Sequence, residues 1–522
     1  MMAQVLTALF DPEELLAQMR GQRWFAQQDL EGGSVEILDW LGLGLADTDE
    51  YQQLSLYWLK VRVGASHHYS VLVGKHNGKL QDASQHGGFI RRLKLAGDKG
   101  LTTANGGTIR LQGNIHKKII TQISPFDGSS SNSLQLCETE NQSYVLKCYR
   151  LMTAGNNDEV AVLTALRPHR VMPPPAGLIE YRQPEGGSEY LGLITPLLSG
   201  EPVHKLFSRS IRQVMAKTVI NSGELPASGV DSCVEKCRQQ GVAEYEIQKQ
   251  KLQPLCQTVG EQIARFHHHL NAAYSGQAPN GAQAFDLAAY LKPGLKRWQR
   301  ICRAVAKDPR LQPDVREKVL AQLQLCAEYL LDETSFTALT GKQNKLLVSV
   351  VHGDLHLAHV FIGDEEQQAC QIIDPSPVSL NHQAPAFNTQ VALMDIAGFH
   401  RGLEYFSFDE VTHVMAKRLA KSNTEIAALL LQQAGQLMQA CPALYALLER
   451  WSSEVFACLF EAYRAQAGQM ANTGSQGDQR IYYLFYFNRL LKELDYNYAY
   501  GRQFFKLCDL YYLNKLTDIL KS

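Results

Sequence analysis

The spacing of apolar residues changes once along this chain, near residue 201, and that change limits what it can fold into. Before it, apolar residues alternate in short runs cut by glycine. "HHYSVLVGKHNGKL" (67–80) and "GGTIRLQGNIHKKIITQI" (106–123) read as strands joined by glycine-containing turns. "FDGSSSNSLQL" is a polar loop, "SYVLKCYR" (143–150) a compact strand, and "EYLGLITPLLSG" an apolar strand that ends at Pro196. Between them "NNDEVAVLTALRPH" turns to helical spacing with an Asn/Asp start, the usual N-cap chemistry. After residue 201 helical patterns dominate, in "PLCQTVGEQIARFHHHLNAAY", "VREKVLAQLQLCAEYLL", "EIAALLLQQAGQLMQAC" and "YYLFYFNRLLKELDYNYAY".

One β-like stretch interrupts the helices. "VVHGDLHLAHVFIGDEEQQACQIIDPSPV" (350–378) sets Asp354 and Asp374 at the edges of two strand-like runs, "LLVSVV" and "QIID", with "HVFI" between them. Buried strands exclude carboxylates, because an unpaired charge taken out of water is costly. The two acids are therefore paired with something, or they hold something. In kinase-type phosphoryl transfer, one Asp on a loop orients the acceptor hydroxyl. A metal-ligating side chain follows five residues on, and a second Asp closes the next strand. Asp354, His359 and Asp374 stand at offsets of zero, five and twenty.

Upstream, Lys147 lies on the strand "YVLKCYR", the setting of a lysine that holds the α/β-phosphates of ATP. Glu159, twelve residues later on the next helix, is placed to fix that ammonium as an ion pair. Each feature alone has a bland reading: "HGD" is a common loop, and a strand lysine more often faces solvent. In this order and spacing they point to one phosphotransfer site. A sheet-rich part set against a helical part, with the catalytic candidates on a loop at the junction, is the two-lobe plan of kinases, and ligand sites favour such interfaces. His352 reads as structural, its ring holding the loop. His356 reads equally as structural or substrate-facing. The triple "HHH" at 267–269 sits on a helix, where neighbours point about 100° apart, so it cannot converge on one ion.

Composition excludes other classes. At 522 residues, two to four domains are expected. A net charge of -1 removes the electrostatic case for a nucleic-acid or anionic-membrane partner. No run approaches the ~18–20 apolar residues of a membrane span. The opening "MMAQVLTALFDPEELLAQMR" has no basic leader and reads as a short amphipathic helix. Eleven scattered cysteines read as free thiols, and the close pair Cys233 and Cys237 has no second pair at zinc-site spacing. A soluble, cytoplasmic chain is expected.

"HGDLHLAHV" and "IID", followed by "LMDIAGFHRGLEYF", closely resemble the bacterial maltokinases, within the aminoglycoside-phosphotransferase-like kinases. The resemblance runs in order along nearly the whole chain. "QMRGQRWFAQ" is similar to that family's N-terminal signature, "YSVLVGK" to a cap-domain strand, and "SNS" at 131–133 to its nucleotide-covering loop. "VLKCYR" is similar to the lysine strand, and "LFYFNRLLKELDYNYAY" lies where the family carries a helix lining the sugar site. The resemblance implies an α+β, bilobal protein-kinase-like fold with a cap domain (1–115), a β-rich N-lobe (116–200) and a large helical C-lobe (201–522). It implies transfer of the ATP γ-phosphate to the anomeric hydroxyl of maltose, with Mg²⁺, giving maltose 1-phosphate. Trehalose synthase or a glucan-building maltosyltransferase would be the functional partner. Carried over by position, Asp354 orients or deprotonates the hydroxyl, and Asp374 bridges metal to phosphates. Lys147, Glu159, Asn132 and Ser133 serve the nucleotide. His356, Tyr405, Arg489, Lys492, Glu493 and Tyr496 serve the sugar, and Asp395 braces the catalytic loop without touching substrate.

The chain departs from the family at telling places. His359 replaces a glutamine at the second metal position, and an imidazole suits Mn²⁺ better than Mg²⁺. "DFEG" becomes "DPSP", so Pro375 removes a backbone donor after Asp374. Arg489 and Lys492 stand where the family has Lys and Tyr, which alters the hydroxyls read. Two alternatives follow. One is a kinase of another sugar or an aminosugar such as glucosamine, with Glu404 and Glu493 meeting a single amine. The other is a degenerate kinase acting as a binding or regulatory protein. Two-metal phosphate-ester hydrolysis lacks its further His and Asp ligands.

Overall fold

The structure is a computed structural model that describes residues 9–20, 22, 25, 34–45, 54–64, 67–126, 132–152, 157–218, 232–275, 285–332, 346–363, 370–440, 442–468 and 478–521. Of the N-terminal signature, Gln22 and Phe25 are described, while Arg23 and Trp24 lie outside the described residues, as does Ser131 of "SNS". The chain divides after Leu198 into two compact units, Met1–Leu198 and Ser199–Ser522. The division falls where the sequence pattern changes from strand to helix.

The first unit opens with α1 (Pro12–Arg20), followed by β1 (Val35–Leu45), β2 (Ser55–Val63), β3 (His67–His76), β4 (Lys79–Asp82) and α2 (Gly88–Ala96). Next come β5 (Leu101–Thr102), β6 (Thr108–Gln112), β7 (Ile120–Pro125), β8 (Ser133–Thr139), β9 (Ser143–Cys148) and β10 (Leu151–Met152). The helix α3 (Asp158–Leu166) precedes β11 (Gly177–Arg182) and β12 (Ser188–Pro196). The first sheet runs β1-β2-β3-β10, with β4 also on β3. The second runs β5-β6-β11-β12-β9-β8-β7. The boundary expected at residue 115 does not interrupt this second sheet. β6, before it, pairs antiparallel with β11, after it, because their apolar residues share one core.

Strand alternation explains why the first sheet can be covered on both faces. Leu59, Val61 and Val63 of β2 pack with Tyr69, Val71 and Val73 of β3 and with Leu15 and Met19 of α1. Leu56 and Trp58 point the other way, into a core shared with Ile109, Leu146 and Ile179 of the second sheet. Phe25 of the N-terminal signature packs on Tyr69, ring centroids 5.5 Å apart. The β3–β4 hairpin turns on Asn77 and Gly78, both at positive φ (49° and 82°), the geometry Asn-Gly suits. One charge pair lies inside the unit: Lys60 Nζ meets Glu189 Oε2 at 2.7 Å, their side chains 7% and 2% exposed.

The second unit contains β13 (Glu201–Pro202), α4 (Val203–Lys217), α5 (Ser232–Ser275), α6 (Leu287–Lys307) and α7 (Pro313–Leu330). β14 (Val360–Ile362) and β15 (Cys370–Ile372) form the expected hairpin, extended by β13 into a three-stranded sheet. Four long helices follow: α8 (Leu393–Leu419), α9 (Asn423–Ala440), α10 (Ser452–Ala467) and α11 (Asp478–Ala499). α12 (Gln503–Lys521) ends the described chain. α8 is buried around most of its circumference in its first three turns, as a central core helix must be.

The run "LLVSVV" corrects the strand expectation. Leu347 makes a single β-bridge, but among the described residues the run joins no sheet, because other groups take the backbone bonds of Ser349 and Val350. Asn271 of α5 accepts from Val350 N (2.8 Å) and donates to Val350 O (3.2 Å), and Ser349 N donates to Gln390 O. Cys233 and Cys237 fall on α5, outside the described side chains, and the cysteines that are described are free thiols. Among the described residues no helix is long and apolar enough to cross a membrane.

Breaking one half of the Lys60–Glu189 pair strands a buried charge. Glu189→Gln is expected to lower stability by about 3 kcal/mol in urea unfolding. The double variant Lys60→Met/Glu189→Leu should recover most of that loss.

Candidate active site

The site grows from the loop between "LLVSVV" and β14. Gly353 has φ +84°, and a Cβ there would lie 1.9 Å from Ser376 O, so only glycine lets the two loop segments touch. Ser376 N donates to His352 O at 2.6 Å across that contact. Asp395, at the start of α8, holds the loop from behind. Its Oδ2 accepts from His352 N (2.6 Å) and its Oδ1 from Gly353 N (2.9 Å). His267 of α5 donates Nε2–H to Asp395 Oδ2 (2.9 Å) while its Nδ1 meets the Tyr463 hydroxyl (3.0 Å). The first histidine of the "HHH" triple thus orients a carboxylate. The bracing role implied for Asp395 is the geometry seen.

His352 is buried, and Ile373 O can only accept, so the contact at 2.8 Å places the proton on Nε2. Its Nδ1 is then free to accept from Asp354 N at 3.3 Å. The same logic fixes His359: Nδ1–H donates to Asp354 O at 3.0 Å, which leaves the Nε2 lone pair 3.7 Å from Asp374 Oδ2. Burial, reinforced by His352, holds His359 down to about 4, so the ring is neutral at pH 7. That lone pair and the Asp374 carboxylate are both acceptors. Ile373 N donates to His359 O at 2.9 Å, tying the two segments that carry His359 and Asp374. Asp374 itself sits at φ +61° directly before Pro375, a sparsely populated conformation for a non-glycine residue.

His356 caps the short turn 357–359, its Nδ1 accepting from Ala358 N at 3.3 Å, so its proton lies on Nε2. Burial and then His359 hold it near 4, and the two rings lie 3.7 Å apart. Potential ligand atoms of Asp354, His356 and His359 lie within 4.8 Å of one another. With Nδ1 accepting and Nε2–H donating, His356 is a hydrogen-bond donor and not a ligand in this tautomer. Asp374 and His359 together offer one hard oxygen and one nitrogen, donor types that suit Mn²⁺ as well as Mg²⁺.

Asp354 Oδ1 accepts from Arg489 Nη1 at 3.0 Å. Burial works against its charge, but Arg489 and then His356 outweigh it and bring the carboxyl down to about 2. Arg489 in turn donates Nε–H to Glu493 Oε1 (2.7 Å), one turn along α11. Glu493 Oε2 accepts from Arg401 Nε at 3.0 Å, and Arg401 also holds Asp509 Oδ1 (2.7 Å) and Glu404 Oε2 (2.5 Å). Asp354 therefore ends a chain of ion pairs that begins on a fully buried guanidinium. Lys492 is exposed on the same helix. Desolvation, then Arg489, lower its pKa, and Asp354 pulls the other way.

Two residues expected to serve the sugar have these partners. The Tyr405 hydroxyl bonds Asp509, and its ring stands over Arg401 (5.0 Å), so it serves the buried cluster. Tyr496 is exposed, stacked on Tyr500 at 4.4 Å with Arg502 over its face at 5.6 Å. Glu404 is buried against Arg401 and the Tyr486 hydroxyl.

In the first unit, Lys147 Nζ pairs with Glu159 Oε2 at 2.9 Å, and the Tyr149 hydroxyl donates to the same oxygen at 2.8 Å. β9 holds this lysine in mid-sheet, paired with Leu134 and Leu193, and Asn157 caps α3 through Val160 N at 3.1 Å. Asn132 Oδ1 accepts from Arg150 N at 3.4 Å, and Ser133 is buried at the head of β8. Sequence reasoning missed Arg401, Asp509, Asn271 and the partnership of His267. The available signal was the arginine set among the apolar and aromatic residues of "LMDIAGFHRGLEYF".

The chain matches no protein-family model and no curated protein. Among solved structures it is similar to a glucosamine kinase (crystal form B), with a TM-score of 0.55 and 16% identity over 99% of both chains. It is also similar to glucosamine kinase in complex with glucosamine, ADP and inorganic phosphate, TM-score 0.51, 16% identity, over 99% of this chain and 98% of that one. Likeness at this identity shows a shared α+β fold, sheet-rich first and helical after.

Two outcomes are expected. Arg489→Ala removes the largest opposition to burial at Asp354, so its carboxyl, read by ¹³C NMR titration, should rise clearly from about 2. A value still near 2 would show that the guanidinium is not the cause. Asp395→Ala orphans two buried backbone N–H groups and should cost about 3 kcal/mol in thermal or urea unfolding.

Proposed function

We propose that this chain is an ATP-dependent kinase of a sugar hydroxyl. The observation that supports the reading is Asp354: a carboxylate ionised at neutral pH, one oxygen tied to Arg489, on a loop whose next turn carries His359 beside Asp374. A carboxyl near 2 is too weak to strip a sugar hydroxyl outright. Asp354 instead accepts a hydrogen bond through its second oxygen and aims the acceptor oxygen at the phosphorus. It takes the proton late, as suits a loose transition state. Arg489 fixes the carboxylate rotamer, so orientation is set before substrate arrives. Asp374 and His359 would hold a divalent ion that neutralises phosphate charge. The Lys147–Glu159 pair is proposed to present an ammonium to the phosphates, as a strand lysine braced by a helix glutamate does in kinases. Asn132 and Ser133 are proposed to serve the nucleotide as well.

The proposed acceptor is a neutral saccharide, maltose first, phosphorylated at its anomeric hydroxyl. Arg489 and Lys492 put positive charge beside Asp354, which disfavours an ammonium on the sugar and favours hydroxyls that accept hydrogen bonds. A second reading, glucosamine, is motivated by the full-length likeness to a kinase of that name.

The test is Mg-ATP and Mn-ATP turnover with maltose, glucose and glucosamine. Wild type should form a sugar phosphate, with maltose preferred, and Asp354→Asn should lose about 10²–10⁴-fold in kcat. Nucleotide-induced thermal stabilisation without any phosphorylated sugar would overturn the kinase reading in favour of a binding protein.

A further inference from the structure

A cavity of about 370 Å³ opens in the second unit between α8, α10, α11 and α12, and none of Asp354, His359, Asp374 or Arg489 lines it. Its volume falls within the ~300–1,000 Å³ of small-molecule sites. The walls are aromatic: Phe456, Phe460, Tyr482, Tyr483 and Tyr486. Such faces stack on the C–H face of a sugar ring as readily as on another aromatic.

The polar groups are few and specific. His400 lines the cavity and is 9% exposed. Its Nδ1 is 2.7 Å from the Tyr482 hydroxyl, and its ring stacks on Phe456 at 4.1 Å and 7°. Its Nε2 is buried with no hydrogen-bond partner. Glu404 Oε1 lies 3.8 Å from it, beyond a hydrogen bond. With the tyrosine hydroxyl donating to Nδ1, Nε2 carries the proton. A buried N–H donor and a carboxylate acceptor then stand 3.8 Å apart, too far to bond each other. A hydroxyl oxygen set beside the pair accepts from one and donates to the other. Around the same cavity stand two cations. Arg464 is exposed and lies over Phe460 at 5.9 Å; Lys515 donates to Glu449 O at 2.6 Å and Ser453 Oγ at 3.4 Å. Two cations, a donor and an acceptor that one hydroxyl can answer, and aromatic walls describe one ligand chemistry.

We propose that this cavity is a second ligand site, separate from the Asp354 site, and that it takes a sugar phosphate. The ring lies on the aromatic walls, one hydroxyl bridges His400 and Glu404, and the phosphate meets Arg464 and Lys515. Glu404 also holds Arg401 through its other oxygen, so an occupant touches the ion-pair chain that ends at Asp354.

The test is calorimetry on the full chain without nucleotide, titrated with glucose 1-phosphate, glucose, inorganic phosphate and phenyl phosphate. Glucose 1-phosphate should bind with one-to-one stoichiometry and more tightly than the other three. Arg464→Glu, at an exposed position that leaves the core untouched, should weaken binding at least about tenfold, the loss of one charge-assisted contact. Glu404→Gln should weaken it as well, provided the variant melts cooperatively. Arg489→Ser, which disturbs the Asp354 site and reaches the cavity only through Glu493 and Arg401, should weaken binding far less than Arg464→Glu. Absence of binding at millimolar ligand would overturn the proposal and leave the cavity to solvent. Binding that ignores Arg464→Glu but fails in Arg489→Ser would place the ligand at the Asp354 site. Equal affinity for phenyl phosphate would show that no hydroxyl is read. Because the readout is binding, a failed kinase assay leaves this inference standing, and the reverse holds too.

Discussion

Arg401 is the constraint on which the helical unit depends. A guanidinium with no solvent exposure must be paired on every side, because desolvation costs more than any single ion pair returns. Its partners come from three helices: Glu404 on its own α8, Glu493 on α11 and Asp509 on α12. The rings of Tyr405, Tyr486 and Tyr512 lie 5.0–5.5 Å from the same cation. Three carboxylates around one cation leave excess negative charge. Burial accordingly pushes Glu404 and Asp509 upward, against the pull of Arg401. The surplus is drawn off through Glu493, whose second oxygen meets Arg489. The helix packing and the charge state of the loop carboxylate are thus one problem with one solution.

The loop is held from its other side by neutral and backbone-directed contacts. Asp395, set by His267, takes two loop N–H groups, while Asn271 takes both backbone groups of Val350. They fix where Asp354 stands, while Arg489 fixes how it is charged and which way it faces. The left-handed backbone at Asp374 is tolerated because the neighbouring Ile373 and Ser376 are both tied to the loop. The Pro375 departure fits that picture, since the residue that follows, Ser376, makes the backbone bond to His352. The His359 departure fits too. A ring held by the Asp354 carbonyl and kept neutral by burial offers its lone pair to the same space as Asp374.

The sequence alone determined the order of the parts. Period-two alternation before residue 198 and helical spacing after it became a sheet unit and a helical unit, because those periods are local and each admits one way of burying its apolar face. Offsets of five and twenty brought Asp354, His359 and Asp374 together, since a short hairpin leaves little freedom, and the twelve residues from Lys147 on β9 to Glu159 on α3, with β10 between, are few enough for the two side chains to meet. What tertiary structure decided is everything that joins residues far apart in the chain. Asp354 meets Arg489 across 135 positions and Arg401 meets Asp509 across 108, and no periodicity encodes which distant charge answers a buried one. For the same reason Tyr405, Glu404 and His267 could be read as site residues or as ornaments of a helix until their partners were known. "LLVSVV" reads as a strand for want of the one fact the sequence withholds, that an asparagine on α5 supplies its hydrogen bonds in place of a neighbouring strand.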